Sequence, residues 1–441
     1  MGYKDLLIGP LYIFFIYIFA FLIRNYVTDS ETRKYFFPAL TLKIIGAISV
    51  GILYYFYYGG GDTVAYSDWA AVHIYDAFWD SPHKAFELFF RPNDPNYYPN
   101  EYAFKILWFH AEKEFFVIRL VALCSLFTFH TYTANACIFA TVSFSGVWAM
   151  YTAFTRMYPK LKKPLAYAVL FIPSVFFWGS GILKDTITFG ALGWFFFSAM
   201  EVIKFRKSIV RNTLIILFCI YVIASVKIYI LLCFVPSLAI WFVLENINRI
   251  KNKLVRISLT PILLILGIIS SAFLFREIGK YNSQYSVESI AETARATASW
   301  IQYSSNQQGG STYSLGDLDF SAGGVARKAI PAIWVSLFRP HLWEVRNPVM
   351  LLTSLESTFF LLYTLCLFYL WIKKKKNVWD SDIIFYLMFS LFFSLAVGMT
   401  TYNFGSLVRY KIPMIPFYGV ALILIHAKLK PTTFFTLKKP K

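Results

Sequence analysis

Long apolar runs separated by short basic connectors form the dominant pattern of this chain. Runs near the length a bilayer requires, about 20 residues, fall at 7–23, 35–58, 115–131, 133–154, 165–183, 187–203, 209–226, 228–245, 257–275, 347–372, 383–401 and 412–427. They predict an all-α, polytopic transmembrane bundle of about 11–13 spans, folded as one membrane domain over 1–441. The first run lacks a small-residue cleavage site and reads as a retained helix. Two stretches are too long for turns. In 59–114, Ala65, Trp69, Val72 and Ala77 recur near helical spacing and predict an interfacial amphipathic helix over 64–78. Three prolines within 91–99 interrupt regular structure, and Tyr102 to Phe109 predicts a second short helix. The second stretch, 276–346, carries a polar segment from Ser304 to Gly324 before the apolar Ala329 to Phe338.

Charge orients this pattern. The chain carries 42 Lys and Arg against 24 Asp and Glu. The basic residues gather in Arg156–Lys163, Lys204–Arg211, Asn246–Arg256, Lys373–Lys376 and the tail Lys428–Lys441. Short basic connectors between apolar runs are the positive-inside signature, not a nucleic-acid stripe, so no nucleic-acid partner is expected. If each intervening run crosses once, these connectors share one cytoplasmic side. The opposite side receives the turns at Gly179–Asp185, Lys227 and Asn403–Lys411, with 276–346. Between 59 and 156 the count does not close, because two runs separate stretches expected on opposite sides. Three solutions exist: a third embedded piece around 100–112, a run 115–154 that is not two simple crossings, or a cytoplasmic 59–114. Arg24, Arg33 and Lys34 favour a cytoplasmic first connector, and so an external 59–114.

Composition adds little beyond this. Hydrophobic residues make up 58% and aromatic residues 20%, as expected where lipid is the solvent. The five cysteines lie in apolar runs without metal or redox spacing and read as packing residues.

Charged groups within or beside spans cost roughly 2.5–3.5 kcal/mol on insertion scales, so each is a candidate for function. After Gly59-Gly60-Gly61, Asp62 stands where a helix meets water, with Tyr66 one turn on and Asp68 turned away. The plain alternative is that Asp62 caps a helix. Lys184 and Asp185 follow Gly179-Ser180-Gly181 at an outer turn, where Asp185 can equally be a cap. Arg339 and Arg346 can clamp a phosphate or simply snorkel. Arg409 and Tyr410, like Lys227, put outer-side groups against the charge trend. They can face a lipid phosphate or anchor helix ends. Together these residues supply a carboxylate base, cations for a departing phosphate and aromatic surfaces for a sugar.

This set resembles the GT-C superfamily of integral-membrane glycosyltransferases. The resemblance rests on Gly61-Asp62 with Tyr66 after an early span and on a long helical first external loop. It rests also on Lys184-Asp185 and on Arg409-Tyr410-Lys411-Ile412-Pro413 with Pro416 opening the last helix. It implies inverting transfer of a sugar from a polyprenyl-phosphate or -pyrophosphate carrier at the outer face of a bacterial inner membrane. Asp62 would be the base, Asp185 a second catalytic carboxylate, and Tyr66, Lys184, Lys227, Arg339, Arg346, Arg409 and Tyr410 the binding groups. The family works with or without a divalent cation. Asp62 stands alone where many members carry an acidic pair, and an extra span precedes the loop. The same outline resembles Wzy/EpsG-type polysaccharide polymerases, and a transporter of lipid-linked glycans is a third reading.

Overall fold

A computed structural model describes residues 1–247 and 322–430, with Ala296, Ser299, Tyr303, Thr312, Tyr313 and Leu315 between them. Among these residues every element is helical, and the sole extended pairing is an isolated bridge between Thr312 and Asn403. Among the described residues eight helices are long and apolar enough to cross a membrane, or nine if one bent pair counts as a span. The chain is an integral multi-pass protein. The expected span at 257–275 lies outside the described residues. Two compact units divide it, Met1–Ile228 and the chain from Tyr229 onward.

The first unit contains α1 (Tyr3–Val27) and α2 (Arg33–Ile52), the latter prolonged by a π-helical turn at Leu53–Tyr57. Short helices α3 (Asp62–Tyr66), α4 (Val72–Asp80) and α5 (Pro82–Phe89) follow, then α6 (Glu112–Thr128) and α7 (Tyr132–Met157). It ends with α8 (Lys162–Leu170), α9 (Pro173–Trp178), α10 (Lys184–Ile203) and α11 (Ile209–Lys227). Helices α7 and α10 form its centre and touch backbone to backbone. A Cβ on Gly146 would lie 1.9 Å from the Gly190 carbonyl oxygen, and one on Gly193 would lie 2.1 Å from that of Gly146. Small residues permit this approach, which replaces the hydrophobic drive that lipid cannot supply.

The connectors at one end of this unit are basic. Lys162 Nζ lies 2.8 Å from Asp29 and 3.1 Å from Glu31, and Arg156 pairs with Glu201. Burial alone would raise the Asp29 carboxyl, yet Lys162 and Thr32 hold it down at about 2. At the opposite end Asp5 Oδ1 accepts the Thr133 N–H at 2.7 Å, and the Thr63 and Tyr132 hydroxyls bond at 2.6 Å.

These ends fix the crossing count. Glu114, at the start of α6, pairs with Lys184, which opens α10 at the end away from Glu201. The far end of α6 is held there too: the Phe127 carbonyl accepts from Tyr12, and the His130 ring stacks on Tyr75. Both ends of α6 therefore lie at one end of the unit, and 115–131 is not a span. Only α7 crosses between 59–111 and the basic connector at 156. The stretch 59–111 thus lies at the end opposite the basic connectors, and the run 115–154 holds one crossing instead of two.

The run 165–183 also differs from a simple span. Phe171 meets Tyr35 near the basic end of α2, whereas Gly181 packs on Val50 near its other end. The chain between them is the short α9 followed by irregular backbone. Such backbone survives at membrane depth only inside protein, and Ser180, Ile182 and Leu183 are fully buried. The Gly179 carbonyl, freed by the break, accepts from Lys43 Nζ at 2.5 Å and Ser143 Oγ at 3.0 Å. Lys43, 3% exposed, thus places its amine at a helix C-terminus, where the helix dipole favours positive charge.

The second unit contains α12 (Tyr229–Ile247), α13 (Ala322–Phe338), α14 (Pro348–Lys374), α15 (Ser381–Thr400), α16 (Phe404–Tyr410) and α17 (Ile415–Leu429). Helices α16 and α17 meet at a bend of 68°. Its basic end is tied by Lys374 Nζ to the Leu429 carbonyl at 2.6 Å and Ser381 to Glu245 at 2.7 Å. Helix α13 lies against α15, with Ser336 Oγ donating to the Ser394 carbonyl at 2.7 Å. Just past its end, the Arg339 carbonyl accepts from Ser357 Oγ at 3.1 Å and Lys411 Nζ at 3.4 Å. Ser357 stands nine residues, about 13 Å, along α14 from Pro348. The chain must therefore climb back from Arg339 to begin α14. The tail of the expected external loop 276–346 is a helix that enters the bundle and returns. A buried lysine and a serine again hold the carbonyl at its tip.

Candidate functional site

Two π-helical turns meet at the end of the first unit away from the basic connectors. One, Leu53–Tyr57, closes α2; the other, Ser67–Ala71, joins α3 to α4. Between them Gly59, Gly60 and Gly61 take positive φ angles of 67°, 151° and 122°, which side chains rarely adopt. The loop doubles back tightly enough that Tyr55 OH donates to Asp68 Oδ2 at 2.6 Å. π-turns interrupt helical registry and often mark sites. Here the second one turns Asp68 and Trp69 to the same cleft.

That cleft has a volume of about 490 Å³ and is lined by Asp68, Trp69, His73, Phe104, Lys105, Ile106, Leu107 and Trp108. Its far wall is the 102–109 segment, where the expected second helix is reduced to a single 3-10 turn at Ala103–Lys105. Ile106 leaves that turn in an extended conformation, and Trp108 follows at φ 62°. A left-handed conformation for a bulky residue is costly and recurs at functional sites. The Leu107 N–H donates to the Trp69 carbonyl at 3.0 Å, and the Trp108 ring lies 5.4 Å from that of Tyr66, fixing wall to floor. Burial pushes the His73 imidazole below its ordinary value; Asp76 opposes this and Lys105 adds to it. The His73 imidazole, Asp68, Lys105 and two indoles thus share one cleft.

The residues singled out in the sequence take different positions. Asp62 is half-buried at the first position of α3, after Gly60 has packed on the Trp69 ring. Tyr66 is buried in the apolar core beneath the cleft. Lys184 pairs with Glu114. Asp185, 1% exposed, bonds Lys227 at 2.5 Å, joining the start of α10 to the end of α11. In the second unit Arg339 forks onto Glu344, with Nε 3.0 Å from both carboxylate oxygens, and lies over the Phe404 ring at 5.0 Å. Arg346 is exposed, and half-buried Arg409 lies over the Tyr410 ring at 5.3 Å. Among the described residues no group of three His, Cys, Asp or Glu is placed to hold a metal ion.

The sequence missed His73 and Lys105 as site residues and turned Asp68 away. An uninterrupted helix from Asp62 would indeed do that; the π-turn changes the register by one residue. Lys43 was visible as a charge inside an apolar run, but its partner is a carbonyl 136 residues away.

No family model, curated protein or solved structure matches the chain.

Proposed function

We propose that the chain is a membrane glycosyltransferase that moves a sugar from a polyprenyl-phosphate carrier to an acceptor at the face opposite its basic connectors. The cleft at Asp68 is the observation that carries this reading. The positive-inside rule puts the basic connectors in the cytoplasm and the cleft outside. Indole faces at Trp69 and Trp108 suit the apolar face of a sugar ring, and Lys105 suits an anionic phosphate. In the proposed step a carboxylate takes the proton of an acceptor hydroxyl as its oxygen attacks the anomeric carbon. The bond from that carbon to the carrier phosphate breaks, and the phosphate leaves with the electron pair. The resemblance to GT-C enzymes, with Gly61-Asp62 as its first element, supports the same chemistry.

Two carboxylates compete for the role of base. Asp62 occupies the position the resemblance favours, whereas Asp68 lines the cleft. Purified protein in proteoliposomes, given polyprenyl-phosphate sugar and acceptor, decides between them. Asp68→Asn is expected to lower turnover by about 10²–10⁴-fold, the usual weight of a general base. Asp62→Asn is expected to cost far less. Full activity in both variants would remove the proposal's base, and ladders of repeat units among the products would indicate a polymerase instead.

A further inference from the structure

A second cleft, of about 390 Å³, opens at the basic end of the second unit and is lined by Trp371, Ile372, Lys375, Lys376, Asn377 and Trp379. It forms where α14 ends. Lys375 caps that helix in a left-handed conformation, and its N–H returns to the Trp371 carbonyl at 2.9 Å. The Trp371 and Trp379 rings meet edge to face at 6.0 Å. The neighbouring charges are already engaged: Lys374 Nζ serves the Leu429 carbonyl, and Lys428 neutralises Asp380 at 2.5 Å. Lys376 Nζ donates to the Lys428 carbonyl at 3.3 Å, and among the described residues none that lines the cleft is acidic.

The surface leading to this cleft is apolar. Leu365, Phe368, Tyr369 and Ile372 are all more than half exposed and follow helical spacing along the last turns of α14. A stripe of that kind belongs against acyl chains. Tryptophans mark the headgroup level and lysines attract anionic lipid there. We propose that this cleft binds the headgroup of an anionic phospholipid from the leaflet on the basic side, with its acyl chains lying along Leu365–Ile372. The site is separate from the Asp68 cleft and does not depend on the proposed transferase activity.

Native mass spectrometry of the purified full chain, loaded with phosphatidylglycerol or phosphatidylcholine, tests this. Wild type is expected to retain one phosphatidylglycerol more firmly than any phosphatidylcholine. Lys375→Gln combined with Lys376→Gln should weaken that retention about thirtyfold, since each lysine near an anionic surface contributes about fivefold. The Lys375→Arg, Lys376→Arg pair should keep it, and equal melting temperatures across the variants would show that the fold is intact. Equal retention in the glutamine variant overturns the proposal. So does equal retention of phosphatidylcholine, or displacement of the lipid by millimolar inorganic phosphate, which would mark a site for the free ion.

Discussion

Asp185 was singled out in the sequence as a possible catalytic carboxylate and Lys227 as a possible binding cation, and the structure pairs them in an enclosed ion pair linking α10 to α11. An ion pair taken out of water offers little net stability, but removing one partner strands a buried charge and costs about 3–5 kcal/mol. Asp185→Asn or Lys227→Met is therefore expected to lower the thermal stability of detergent-solubilised protein severely. The double variant should recover much of that loss, because the two charges leave together. If Asp185→Asn abolishes turnover while melting normally, the carboxylate acts in the chemistry and not in the fold. At this scale the sequence shows which positions carry charge at an apolar boundary. It does not show what they face: the partner of Lys184 is 70 residues away and that of Lys227 is 42.

Helix α6 and the re-entrant α13 show where elements become illegible. Helix α6 runs for 17 residues, and from Phe115 to Thr128 it carries a single charge, Arg119. Nothing in their periodicity says that they stay on one face. What holds them there is the pairing of Glu114 with Lys184 at one end and the contacts of Phe127 and His130 at the other. Cysteines placed at Lys113 and at His130 in a cysteine-free background should both react with an impermeant maleimide added to the face opposite the basic connectors, while one at Lys160 should not. Opposite reactivities at 113 and 130 would make α6 a crossing. The eight long spans were legible because their length and composition exceed what a buried soluble helix needs. The break at Gly179–Leu183 was visible only as two glycines and a serine in an apolar run. That it is bridged by Lys43 depends on tertiary packing.

For the molecule as a whole, lipid is the outer solvent, and exposed side chains show where it lies. Helix α1 is covered by protein along little of its length, with Leu7, Leu11, Phe14, Ile18 and Leu22 all exposed. Helix α11 turns Val210, Leu214, Leu217, Phe218 and Tyr221 outward and Asn212 and Cys219 inward. Leu214→Arg should therefore cost roughly 2.5–3.5 kcal/mol of insertion free energy and sharply reduce membrane-integrated protein in a carbonate-extraction assay. Leu214→Ala should leave it nearly unchanged. Equal accumulation of the arginine variant would mean that this stripe faces protein or water.

The pairing of Glu114 with Lys184 has a consequence for biosynthesis. A ribosome that has just released α6 presents an apolar stretch of nearly spanning length with no partner for its charged start, because Lys184 has not been made. The insertion machinery must hold or pass over α6 while α7 is threaded, and the final anchorage waits for α10. The surface that carries the cleft is completed from the chain's later helices, although its own residues are among the earliest to emerge.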